Sequence, residues 1–145
     1  MLTKEDIEAI NDGQMDLFQY WGIPQPPAQV DPRDKTPLDM VKEYAETANQ
    51  KPNQNRAATL VDEEFQEWLH SPAGTADELK ELTDLVYVIY GYANTMGWDL
   101  DLALLRVHDN NMGRMHQPDG TIKRREDGKI MKNEDYPKVV LEDLV

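Results

Sequence analysis

The spacing of apolar positions divides the chain into helical stretches and breaks. A first helix is expected from Thr3 to near Tyr20, ended by Trp21-Gly22. From Ile23 to Pro37 come Pro24, Pro26, Pro27, Pro32 and Pro37, a density no regular element survives. Thr36, Pro37 and Asp39 together form a helix start: a capping hydroxyl, a proline at the first position and an acid in the first turn. Leu38, Val41, Tyr44, Ala45 and Ala48 follow at helical spacing, and this second helix stops before Pro52. A third is expected over Asn55 to Leu69, with Ala57, Ala58, Val61, Phe65, Trp68 and Leu69 as its stripe and Ser71-Pro72-Ala73-Gly74 as its end. Thr75 to Glu78 reads as a capping box, opening a fourth through Leu82, Leu85, Val86, Ile89 and Ala93 to Gly97. Asp99 caps a fifth, with Leu100, Leu104, Val107, Asn111 and Arg114 on one face. From His116 the period is lost, apart from Asp119-Gly120 and Asp127-Gly128 turns and a short pairing of Thr121–Ile122 with Lys129–Met131. The expectation is an all-α bundle of four to five helices in one domain over residues 1–145. Residues 1–35 form an N-terminal helix and Pro-rich segment, and residues 116–145 a C-terminal arm.

Composition narrows what such a bundle does. Its 145 residues carry a formal net charge of -13, which argues against nucleic-acid and anionic-membrane partners. The charged N-terminus does not resemble a signal peptide and no apolar run reaches transmembrane length, so cytoplasm is the expected location, that of the host if the chain is phage-encoded. Without cysteine there is no disulfide, thiol catalysis or zinc–thiolate site. Leu, Ile, Val and Phe total 31 of 145 residues, just above the ~20 % at which charged chains tend to disorder. So thin a core implies concentrated apolar stripes or a core shared between subunits, as in a homodimer or homotetramer.

Glu63, Glu64 and Glu67 form an EExxE pattern on the third helix, and Glu81 and Asp84 an ExxD pattern on the fourth. With Val61 at zero, a 100° step puts Glu63 near 200°, Glu67 near 240° and Glu64 near 300°, so the acids flank the apolar stripe. Two helices packed through these stripes aim four or five carboxylates at one another. Such crowding raises the pKa values and is costly unless a cation neutralises it. With oxygen ligands alone, Mg²⁺ or Mn²⁺ suits the set better than zinc, and Mg²⁺ commonly completes its shell with substrate phosphates. The pattern by itself leaves a second reading open, an ordinary solvated face. A di-iron bundle is excluded, because Glu67-x-x-His70 has no second Glu-x-x-His to match it.

Between Asn111 and Lys132 there are six basic residues and three acidic ones, a local excess of cations in an acidic chain. Such an arm suits a triphosphate over a carboxylate–metal cluster, or it folds onto the protein's own acidic surface. The EExxE and ExxD patterns resemble the all-α nucleoside triphosphate pyrophosphohydrolases, which include MazG proteins, phosphoribosyl-ATP pyrophosphohydrolases and dimeric dUTPases. Val107-His108-Asp109-Asn110-Asn111-Met112-Gly113-Arg114, then Asp119-Gly120 and Arg125 to Lys132, is similar to a MazG-like branch of bacteria and phages. Two positions depart from that branch: Asn110 stands for Ser and Arg114 for Lys.

The resemblance implies hydrolysis of an NTP or dNTP between the α and β phosphates, giving monophosphate and pyrophosphate, with Mg²⁺ or Mn²⁺. It assigns Glu64, Glu67, Glu81 and Asp84 as metal ligands and Glu63 to a second metal or the attacking water. Asn111 would contact phosphate or metal-bound water, and Arg114, Lys129 and Lys132 phosphate charge. Trp21, Trp68, Trp98 and Tyr87 offer rings for a base, although such rings are more often plain core or subunit seam, and the lean is to dGTP/GTP. The alternatives are a phosphoribosyl-ATP pyrophosphohydrolase and a non-catalytic acidic DNA mimic, for which a basic arm has no use.

Overall fold

The computed structural model describes Thr3, Lys4, Glu5, Glu8 and residues 34–145. The chain divides into two compact units, Met1–Asp34 and Lys35–Val145. In the first, Lys4, Glu5 and Glu8 are helical; the rest of the helix expected to Tyr20 and most of the Pro-rich break lie outside the described residues.

The second unit is mostly helical, as the apolar periodicity predicts. It contains α1 (Pro37–Thr47), α2 (Gln54–His70), α3 (Ala76–Met96) and α4 (Leu100–Arg114), then a two-residue hairpin and a short 3-10 turn. Each helix begins on a side-chain cap that satisfies an otherwise orphan N–H: Thr36, Asn53, Thr75 and Asp99. At Thr36 the box is complete, since Asp39 accepts the Thr36 N–H at 3.2 Å and Thr36 Oγ accepts that of Asp39 at 3.2 Å. At Thr75 only half of the expected box forms. Thr75 Oγ accepts the Glu78 N–H, but the Glu78 carboxylate takes the N–H of Gly74 at 2.6 Å, one residue earlier. Gly74, at φ 75°, turns the chain so that this N–H is within reach.

α2 and α3 form a helical hairpin closed by Ser71–Thr75, and α1 packs across α3. Leu38, Val41 and Tyr90 make the buried centre, with Leu100 against them; Ala57, Leu85 and Ala93 are also buried. Most of the remaining apolar stripe is uncovered. Leu79, Leu82, Val86 and Ile89 run along α3 at alternating three- and four-residue steps, and all are exposed, as are Phe65 and Leu69 on α2. No described helix is long and apolar enough to cross a membrane.

β1 (Lys123–Arg124) pairs with β2 (Ile130–Met131), Lys123 opposite Met131 and Arg124 opposite Ile130. The first strand thus starts two residues later than expected. Asp119 Oδ1 accepts both the N–H and the hydroxyl of Thr121, and Gln117 N–H donates to Thr121 O, so Thr121 belongs to the turn. Beyond the hairpin the chain returns along α4. Asn133 N–H donates to Arg114 O, the Asn110 amide to Pro137 O, and Arg106 to Val140 O and both Asp143 oxygens. Tyr136 lies over Gly113, where a Cβ would come within 2.3 Å of the ring.

Candidate active site

α2 and α3 carry the expected acids to one seam. On α2, Ala57, Val61, Glu64 and Trp68 share the packing face at helical spacing and are buried or half-buried, whereas Phe65 and Leu69 look outward. On α3, Leu85 anchors the helix, and Glu81 and Asp84, three apart, turn their carboxylates towards Glu64. One carboxylate oxygen from each of Glu64, Glu81 and Asp84 lies within 4.8 Å of the others. Glu64 Oε2 and Glu81 Oε2 are shielded from solvent and have no hydrogen-bond partner among the described residues. Burial, and after it the charges of Glu67 and Asp84, push the Glu64 carboxyl above its ordinary value of 4.5, with Glu81 adding to the effect.

Two orphaned oxygens in a cluster of carboxylates fit a hard cation, because the donor set is oxygen only and its charge is unbalanced. One lysine stands beside it: Lys80 Nζ is 2.6 Å from Asp84 Oδ2 and 3.4 Å from Glu81 Oε1. Lys80 escapes a reading confined to the acids, although a Lys four residues before an Asp on a helix is a recognisable pair. Glu67 is exposed and couples to Glu64; with His70, Asp77, Lys80 and Glu81 it lines an open groove of about 600 Å³ beside the cluster. Glu63 is exposed, and its side chain makes no hydrogen bond or ion pair among the described residues.

The cations expected to reach phosphate make no ion pair with these acids among the described residues. Arg114 is largely shielded and its guanidinium is 3.8 Å from Glu134, with Nε unpartnered. Arg125 pairs with Asp127, and Arg124 donates to Gly128 O, so the hairpin uses those charges on its own turn. Asn111, Lys129 and Lys132 are exposed. Among the described residues no hydrogen bond or ion pair joins α4 or the arm to Glu64, Glu67, Glu81 or Asp84.

A cavity of about 310 Å³ opens one helical turn further along the same seam, since Leu60 precedes Glu64 by four residues and Val88 follows Asp84 by four. Its walls mix Val41, Leu60 and Val88 with Tyr44, Tyr87, Asn53, Arg56 and Asn94. Tyr44 and Tyr87 meet edge to face at 5.9 Å. Of the rings considered from sequence, Tyr87 alone lines this cavity among the described residues. Trp68 packs on Phe65 and Trp98 on Tyr92, while Trp21 lies outside the described residues. Tyr44, Asn53, Arg56 and Asn94 come together only through the α1–α2–α3 packing, which no local pattern announces.

No curated protein matches the chain. A family model does, that of phosphoribosyl-ATP pyrophosphohydrolase, over residues 33–111. The matched span holds all five carboxylates and the cavity, and it ends before Arg114 and the arm. The family's activity is that of a pyrophosphohydrolase on a nucleotide triphosphate, and its members are typically metal-dependent. With more than half its length inside that match and the acids converging as they do, the chain belongs to the phosphoribosyl-ATP pyrophosphohydrolase family.

Proposed function

We propose that the protein hydrolyses a nucleoside or deoxynucleoside triphosphate between the α and β phosphates, releasing the monophosphate and pyrophosphate. The observation that carries this reading is the convergence of Glu64, Glu81 and Asp84 with two buried oxygens left unpaired. Glu64, Glu81 and Asp84 would hold Mg²⁺ or Mn²⁺, with Glu67 at the rim of the same set and Glu63 as an outer acid for a second ion or the attacking water. When bound, the cation supplies Lewis acidity to phosphate oxygens and lowers the pKa of a water. The helix hairpin fixes the carboxylates before substrate arrives, so the chain itself contributes orientation and charge placement.

The cavity next to the cluster is where the nucleoside would sit. Tyr44 and Tyr87 offer ring surfaces, and Asn53, Asn94 and Arg56 offer hydrogen bonds to a base or sugar. Guanine nucleotides are the first candidates. The family match favours one further reading, phosphoribosyl-ATP as substrate, which presents the same triphosphate and the same scissile bond. The exposed stripe Leu79, Leu82, Val86 and Ile89 has the spacing of a helix seam and supports a dimer or tetramer.

Pyrophosphate release from a panel of NTPs, dNTPs and phosphoribosyl-ATP, with and without Mg²⁺, tests the reading. Metal-dependent release from one class is expected. Orthophosphate as first product, or turnover indifferent to EDTA, would overturn it.

A further inference from the structure

We infer that Lys80 is a phosphate-binding residue held in reserve, paired with the carboxylates of the cluster and released to the triphosphate when a cation takes its place. The inference rests on the reading of Glu64, Glu81 and Asp84 as cation ligands. Lys80 Nζ contacts two of those three acids, at 2.6 Å from Asp84 and 3.4 Å from Glu81. It leaves Glu64 Oε2 and Glu81 Oε2 unsatisfied, so one ammonium balances the set only in part. Three acids facing one lysine keep an affinity for further positive charge.

A divalent ion at that point would sit beside an ammonium already against the same oxygens. Like charges so close repel, and the flexible side yields. Lys80 is that side: its side chain is 65 % exposed on a four-carbon stem and no other described group holds it. The groove it enters on leaving Asp84 is the open one lined by Glu67, His70, Asp77, Lys80 and Glu81. That groove flanks the cluster at the loop end of the α2–α3 hairpin, away from the nucleoside cavity. A triphosphate with its nucleoside in the cavity and its α-phosphate at the cluster directs its β- and γ-phosphates there. The displaced ammonium then finds a new anionic partner, one that becomes pyrophosphate.

A positively charged placeholder leaves a signature that a simple surface ion pair lacks, opposite effects on cation and nucleotide. Lys80→Met keeps the stem and removes the charge; Lys80→Arg keeps the charge. Mn²⁺ binding to nucleotide-free protein is measured by calorimetry, thermal melting is followed in EDTA and in saturating Mg²⁺, and KM and kcat are measured for the best triphosphate. Lys80→Met should bind Mn²⁺ about fivefold more tightly, because a competing charge is gone. It should melt below the parent in EDTA and level with it in Mg²⁺, and its KM should rise about tenfold with a smaller change in kcat. Lys80→Arg should stay near the parent in all three.

Unchanged Mn²⁺ affinity in Lys80→Met, or equal destabilisation with and without Mg²⁺, would make Lys80 an ordinary surface partner of Asp84 and overturn the proposal. So would an unchanged KM. A parent protein that binds no Mn²⁺ at all would instead remove the cation reading of the cluster, and the role of Lys80 with it.

Discussion

The C-terminal arm and the α2–α3 seam handle charge in opposite ways. Along the arm both arginines of α4 find acids within the chain, Arg106 on Asp143 and Arg114 near Glu134, and Asn110 and the Arg114 carbonyl take backbone partners. At the seam three carboxylates meet one lysine, and two shielded oxygens have no partner. Arg114 Nε apart, the arginines of this region find partners within the chain, whereas the seam is balanced only when something cationic is added. From sequence the two regions look like complementary halves of one site, an acid cluster and a basic lid. In the fold the arm's arginines are already engaged, Arg124 and Arg125 with the hairpin turn and Arg114 near Glu134, whereas Lys129 and Lys132 stay exposed.

The sharpest way to break this contrast is to neutralise the seam. Glu64→Gln should lower kcat/KM by two to three orders of magnitude, about the loss seen when a group stabilising charge in the transition state is removed. The same variant should melt higher than the parent in EDTA, because a shielded like charge has gone. A fully active Glu64→Gln would leave the cluster without a part in turnover.

The next test asks whether the arm also serves substrate. If Arg114 leaves Glu134 for phosphate, Arg114→Ala should lower kcat/KM by the equivalent of about 1.5–3 kcal/mol, the size of a charge-assisted hydrogen bond. Truncation after Met115 should then raise KM and lower kcat. Hydrogen exchange over residues 116–132 supplies the check. Greater protection with nucleotide supports closure, and equal protection makes the arm structural throughout.

A smaller effect probes the arm's grip on α4. Gly-to-Ala inside a helix ordinarily gains about 1 kcal/mol. At Gly113 the new methyl meets the Tyr136 ring, so Gly113→Ala should instead cost about 1–2 kcal/mol by denaturant titration and loosen the arm beyond Asn133. Adding Tyr136→Ala should recover the helical gain. Smallest of all is a pH effect in EDTA. The folded Glu64 carboxyl holds its proton to higher pH than the unfolded one, so between the ordinary value of 4.5 and the raised one the folded state binds more protons. Stability attributable to Glu64 is therefore full below that window and is lost as pH rises through it. The difference in melting temperature between the parent and Glu64→Gln should widen over the same range.

Much of this is legible in the sequence, for reasons that are local. Thr36, Thr75 and Asp99 cap where their hydroxyl or carboxylate precedes an apolar run, and Gly97 ends α3 with φ 73°, which few other residues adopt. Glu64, Glu81 and Asp84 converge because helical period alone puts them beside Val61 and Leu85. What was not legible depends on partners remote in sequence or on competition between neighbours. Glu78 had two backbone N–H groups within reach and took that of Gly74. Thr121 was claimed by Asp119 before it could pair across the hairpin. Charge excess in residues 111–132 says nothing of Glu134 and Asp143, which lie beyond that window and which the α4 arginines meet. The placement of the other carboxylates, Glu67 at the groove and Glu63 outside it, likewise follows from the crossing of α2 and α3 rather than from spacing.

The cluster also sits at a mismatched helix terminus. Aligned peptide dipoles leave a partial negative charge at the C-terminal end of a helix, where lysine and arginine are favoured. α2 ends instead with Glu63, Glu64 and Glu67 near its C-terminus and His70 as the one basic group of its last turn. Two carbonyls near this end have added partners, Gln66 O the His70 ring and Trp68 O the Ser71 hydroxyl and N–H, so hydrogen bonding supports the end while its electrostatics oppose it. α3 has the favourable polarity, with Asp77 and Glu78 in its first turn. A cation at Glu64, Glu81 and Asp84 therefore relieves field strain on α2 more than on α3. Divalent ions should slow fraying of the last turn of α2, read as greater amide protection from Gln66 to His70, while the start of α3 changes little.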